Sequence, residues 1–125
     1  MEKLKILLVD DEPAFTRMVK LNLEETGHYV VRVENQSPKA AVAARQFKPD
    51  LIFLDIVMPE KDGGDVAAEI KNDPKLKSTP IVYLTAMVSS SESTKEPFTS
   101  AGELFLSKPV TVEKLNRCIK KVLNL

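Results

Sequence analysis

Four carboxylates, a hydroxyl and a lysine each follow an apolar run in this sequence. Asp10, Asp11 and Glu12 follow residues 4–9, Asp55 follows 51–54, Thr85 follows 81–84, and Lys108 comes two residues after 104–106. Asp10 and Asp11, confined together, raise each other's proton affinity, and a hard dication such as Mg²⁺ removes that penalty by taking oxygen ligands. A third carboxylate can act as a nucleophile on phosphorus while a metal orients it. A lysine supplies a point charge for a phosphoryl oxygen, and a threonine supplies a hydroxyl donor. Taken singly, each residue has a plainer use: the acids 10–12 as partners of a helix dipole, Asp55 and Thr85 as strand-end residues, Lys108 as a surface lysine. Their recurrence at the ends of successive runs makes a joint site the better reading.

The elements that would position them alternate along the chain. Residues 4–9, 51–54, 81–84 and 104–106 have the apolar composition of buried strands, and 29–33 is a further strand. Between them lie helical patterns. Pro13 begins one that carries Phe15, Met18, Val19 and Leu23 and stops at Gly27, and Ser37-Pro38 opens a second through Phe47. A third carries Val66, Ala67 and Ile70, and a last one, N-capped by Thr111, shows a stripe of Val112, Leu115, Ile119, Val122 and Leu123. Five strands and up to five helices in alternation imply an α/β fold with a parallel five-stranded sheet, doubly wound with helices on both faces. The length suits the flavodoxin-like strand order 2-1-3-4-5, and in such sheets sites form at the carboxyl ends of strands. Residues 88–100 are serine-rich with few apolar anchors and contain Pro97, so a fourth helix there is expected to be short, late-starting or mobile.

The 125 residues make one domain of ordinary size, taken as residues 1–125. Lys plus Arg and Asp plus Glu both number 18, a balance that argues against a general nucleic-acid or membrane-surface binder. No apolar run approaches the roughly 20 residues of a membrane span, and no secretory leader is evident, so the expected compartment is the cytoplasm. The single cysteine, Cys118, falls in the last helical stripe and reads as a small apolar residue rather than a redox group.

The segments Leu8-Val9-Asp10-Asp11-Glu12, Leu54-Asp55-Ile56-Val57-Met58-Pro59 through Asp62-Gly63, Leu84-Thr85-Ala86 and Ser107-Lys108-Pro109 resemble the signature of the receiver domain of bacterial two-component response regulators, of the chemotaxis-regulator type. The resemblance spans essentially the whole chain, with every motif in order. It implies that Asp55 accepts a phosphoryl group from a phosphohistidine on a sensor histidine kinase or phosphotransfer protein. It also implies that Asp10, Asp11, Asp55 and the Val57 carbonyl hold Mg²⁺, and that Lys108 binds a phosphoryl oxygen. Thr85 and Phe105 would then form a switch that reports the phosphoryl group to an output protein, with Pro59 and Gly63 shaping the loop and the Lys108–Pro109 bond cis. Such a domain catalyses its own phosphorylation and dephosphorylation without turning over a separate substrate, and is a monomer or weak homodimer.

Two positions that tune hydrolysis in the family, two after the aspartate and two after the threonine, hold Val57 and Met87 here. Neither can hydrogen-bond a water, so a comparatively long-lived phosphoryl state is expected. The competing reading, a metal-dependent phosphohydrolase with Asp55 as nucleophile, calls for a second acid two residues after the nucleophile. Valine stands there. A flavodoxin-like cofactor carrier calls for a Ser/Thr/Gly-rich phosphate loop after the first strand, where this chain has Asp10-Asp11-Glu12.

Overall fold

The computed structural model describes residues 2–86 and 97–125. In chain order the elements are β1 (Leu4–Val9), α1 (Pro13–Glu25), β2 (Tyr29–Glu34), a 3₁₀ turn at Ser37–Lys39 running into α2 (Ala40–Phe47), β3 (Leu51–Asp55), α3 (Gly63–Lys71), β4 (Ile81–Thr85), β5 (Phe98–Ser100), β6 (Glu103–Ser107) and α4 (Val112–Val122). Pro13 sits in the first turn of α1 as expected, and Gly27 follows the helix at a φ of 83°. Thr111 caps α4, its side chain accepting the backbone N–H of Lys114. Among the described residues no helix is long and apolar enough to cross a membrane.

The sheet runs β2-β1-β3-β4-β6-β5, and the five strands from β2 to β6 are parallel in the expected order. Their side chains divide into two cores. Ile6, Leu8, Phe53, Val82, Leu84 and Leu106 meet α1 and α4 through Val19, Leu23, Leu115 and Ile119. Cys118 is buried in this same core. On the other face Leu7, Val9, Ile52, Leu54 and Tyr83 meet α2 and α3 through four alanines of α2, Val66 and Ile70. Burial on both faces is why β3 and β4 carry no polar alternation.

The sixth strand departs from expectation. Residues 98–100, read as part of a loop or short fourth helix, form β5, antiparallel to β6, with Phe98 opposite Phe105 and Ser100 opposite Glu103. The two-residue connection, Ala101 at φ 51° and Gly102 at φ 80°, has the left-handed backbone that lets two strands twist together in a tight hairpin. Four α-helices stand among the described residues. The remainder of the fourth-helix expectation, residues 88–96, lies outside them.

The parallel registers matter most for function. Val9 pairs with Leu54, Asp55 with Leu84 and Thr85 with Ser107, so the ends of β1, β3, β4 and β6 reach one edge of the sheet together.

Candidate functional site

At that edge Asp10 is fully buried, and its two oxygens face different partners. Oδ1 accepts the Glu12 N–H at 3.0 Å, while Oδ2 lies 3.0 Å from Lys108 Nζ. Half of Asp10 therefore serves the start of α1, as the plainer reading required, and the other half faces the site. Glu12, the N-cap residue, makes no side-chain capping bond. The loop is anchored from β2. Asn35 Nδ2 donates to the Asp10 carbonyl at 2.8 Å and to the Thr16 hydroxyl at 3.0 Å, and that hydroxyl donates to the Pro13 carbonyl at 3.1 Å.

Asp55 ends β3, 7% exposed, with Oδ1 3.5 Å from Lys108 Nζ. Burial pushes its carboxyl above the ordinary carboxylate value, with Asp10 adding to the effect and Lys108 opposing it. Burial works against the Lys108 ammonium, yet Asp10 and Asp55 outweigh it and hold the lysine pKa above its usual value. The ammonium also lies 3.9 Å from Glu12 and over the Phe15 ring, 5.0 Å from its centroid. One cation thus faces three carboxylates.

The loop after β3 is fixed at two places. Gly63 donates to the Ile56 carbonyl at 2.7 Å, and a Cβ on Gly63 would lie 2.6 Å from the Asp55 carbonyl oxygen and 2.9 Å from the Ile56 Cα. Only glycine permits that approach. The buried Ser37 hydroxyl donates to the Pro59 carbonyl at 2.8 Å and accepts the Lys61 N–H at 3.2 Å. Asp62 then caps α3 in a reciprocal bond pair with Asp65. Lys108 is set by β6: its N–H donates to the Thr85 carbonyl at 2.8 Å, and the Lys108–Pro109 bond is cis.

Asp11, Asp55, Val57, Thr85, Phe105 and Lys108 line one cavity of about 830 Å³, with Asp10 buried behind it. Asp10, Asp11, Glu12, Asp55, Val57, Thr85, Phe105 and Lys108 therefore lie together at one edge of the sheet. Asp10, Asp11 and Asp55 each offer an oxygen, and these oxygens lie within 4.8 Å of one another. Three hard anionic donors at such separation fit a divalent cation that takes oxygen ligands. Phe105 is half-buried, tilted against Tyr83 and stacked on Phe98, with ring centroids 5.4 Å apart in each pair. Met87, the second residue expected to govern hydrolysis, lies outside the described residues.

Sequence reading missed Phe98 and Ser100 on the cavity wall, Phe15 beneath the ammonium, and Asn35. Asn35 was within reach. It stands two residues after the apolar run 29–33, as Lys108 does after 104–106.

A sequence model described as the response regulator receiver domain matches residues 6–120. PilH of Pseudomonas aeruginosa is 36% identical over 121 residues, covering 95% of this chain and 97% of that protein. The DNA-binding dual master transcriptional regulator RpaA of Synechocystis is 33% identical across 95% of this chain. The chain spans about half the length of the Synechocystis relatives it matches, 48% of RpaA and 52% of Rre1. Among solved structures, chemotaxis protein CheY4 of Vibrio cholerae superimposes with a TM-score of 0.81 at 27% identity, covering 97% of this chain and 99% of that one.

Proposed function

The chain belongs to the response regulator receiver domain family, and from that premise we propose that Asp55 is its phosphoacceptor, served by Lys108, Thr85 and a Mg²⁺ site. The observation that carries this reading is the placement of the Lys108 ammonium between Asp10, at 3.0 Å, and Asp55, at 3.5 Å. A cation there neutralises part of the charge that a phosphoryl group brings, in a partly water-excluded pocket where such interactions are strong.

Asp10, Asp11, Asp55 and the Val57 carbonyl are the groups that would hold Mg²⁺. Bound there, the metal would offset the negative charge of both nucleophile and phosphoryl oxygens. Asp55 contributes a carboxylate oxygen that attacks phosphorus. The bond from phosphorus to the imidazole nitrogen of a donor phosphohistidine breaks, and the nitrogen keeps the electron pair and takes a proton. The product is an aspartyl acyl phosphate. Lys108 binds a phosphoryl oxygen, and its contact with Asp10 keeps the ammonium in place before the donor arrives.

The acyl phosphate adds close to two negative charges and new acceptor oxygens. Thr85, on the cavity wall at the end of β4, donates its hydroxyl to one of them. Phe105 pairs across the sheet with Tyr83, two residues before Thr85, so a shift at the end of β4 reaches the aromatic stack directly. That stack is the element whose two arrangements phosphorylation would bias.

Residues 1–125 act in this reading as one receiver domain, a switch that makes and hydrolyses its own acyl phosphate and turns over no separate substrate. Its partners are a sensor histidine kinase or phosphotransfer protein and an output protein, in the cytoplasm. Valine at 57 leaves the phosphohydrolase alternative without its second acid. The test is incubation with Mg²⁺ and acetyl phosphate, read by intact mass. A stoichiometric, base-labile adduct that disappears in Asp55→Ala is expected, and an unmodified wild-type chain overturns the reading.

A further inference from the structure

Lys114 lies in the first turn of α4, where a cation opposes the helix dipole and a carboxylate would be the favoured choice. Its ammonium turns back out of the helix. Nζ donates to the Ser107 carbonyl at 2.9 Å, the Ser107 hydroxyl at 2.9 Å and the Pro109 carbonyl at 3.3 Å. Those carbonyls flank Lys108 on both sides. The peptide that joins Ser107 to Lys108 is consequently held at its two ends, its carbonyl by Lys114 and its N–H by the Thr85 carbonyl at 2.8 Å. Lys114 is itself registered, since its own N–H donates to the Thr111 cap at 3.1 Å.

We propose that Lys114 is a positioning residue for phosphoryl transfer, fixing the backbone around Lys108 so that the Lys108 ammonium is delivered to the Asp10–Asp55 pair. Lys108 carries its charge on a flexible four-carbon stem, so its reach depends on where its Cα is set. Small misplacement of a group that must meet a transition state slows the reaction far more than it destabilises the fold. A residue that breaks the local helix preference while serving a site is the pattern expected where function overrides propensity. The inference rests on the phosphoacceptor reading above and assigns Lys114 a role within it.

The experiment is a double-mutant cycle on the rate of adduct formation with acetyl phosphate and Mg²⁺, combining Lys114→Met with Lys108→Ala. Methionine keeps an apolar stem and removes every donor. We expect Lys114→Met to slow adduct formation about tenfold when Lys108 is present and to have no further effect in Lys108→Ala. Thermal unfolding of both chains should shift equally on Lys114→Met, which separates the kinetic coupling from a loss of stability. An unchanged rate, or equal slowing in both backgrounds, overturns the proposal and leaves Lys114 a loop brace. Lys114→Leu, which likewise has no donor, is read the same way should the methionine variant not fold. A wild-type chain that forms no Asp55 adduct overturns the phosphoacceptor reading, and this inference with it. A wild-type chain that forms the adduct, with Lys114→Met forming it as fast, overturns this inference alone.

Discussion

Lys108 Nζ meets Asp10 Oδ2 at 3.0 Å although the two residues stand 98 positions apart. Because Asp10 is fully buried, that ammonium is the main compensation for a desolvated carboxylate. Lys108→Ala should therefore act with opposite signs on two measurements. Mg²⁺ affinity, read by titration of backbone NMR shifts, rises because the pocket becomes more anionic. The rate of adduct formation falls by about a hundredfold, the order seen when one transition-state donor is lost.

Gly63 and Asp55 touch through the backbone. A methyl group added at Gly63 would approach the Asp55 carbonyl oxygen to 2.6 Å, and no side-chain motion relieves a clash with backbone. Gly63→Ala should destabilise the chain by about 1–3 kcal/mol in urea unfolding. It should also slow adduct formation, since the atom displaced belongs to the phosphoacceptor itself.

Asp55 links stability to pH and metal. The unfolded chain releases the Asp55 proton at the ordinary value and the folded chain at a higher one. Between those two values the folded state holds the extra proton, so stability falls as pH rises, and above both the ionised carboxylate is a standing penalty. Asp55→Asn should thus raise the melting temperature at neutral pH without divalent cation. A gain of about 1 kcal/mol corresponds to about 4 °C in a chain of this size. Adding Mg²⁺ should narrow the difference, because the wild type binds it better. Calorimetry with and without Mg²⁺ checks both statements.

Val57 is 75% exposed at the mouth of the cavity, so its replacement disturbs little packing. Val57→Asn places an amide able to hydrogen-bond a water near the phosphoryl group. Loss of the adduct after donor removal should accelerate several-fold with the melting temperature nearly unchanged. An unaltered lifetime would remove Val57 as a determinant of the phosphoryl state.

Ala101 holds a left-handed φ of 51° in the β5–β6 turn, a conformation unfavourable for a residue with a Cβ. Ala101→Asn creates the Asn-Gly pair that such turns favour and should stabilise the chain by about 0.5–1 kcal/mol by chemical unfolding.

The fold was legible because the central strands β3 and β4 are buried along their whole length and β1 over its last four residues, so each appears as an apolar stretch ending at a shared edge. The site was legible for the same reason: Asp55, Thr85 and Lys108 interrupt hydrophobicity where the strands stop. β5 was not, because its three residues have no apolar run, and its decisive signal is a two-residue turn set in a serine-rich tract. Nor does sequence reveal that Asp10 divides its oxygens between Glu12 and Lys108, or that Lys114 doubles back on Ser107. Such contacts depend on side-chain direction within a first helical turn, which spacing leaves open. Asn35 was readable and overlooked, since its place after β2 matches the pattern already in use.

Because the pocket borrows its groups from both ends of the chain, it is also a built-in reporter of complete folding. During synthesis the acids emerge long before the lysine that balances them, and the pocket assembles only when β6 docks beside β4. Fast acyl phosphate chemistry, which needs that lysine, should therefore appear only once β6 is in place, giving refolding experiments a signal for the docking of that strand that bulk spectroscopy averages away.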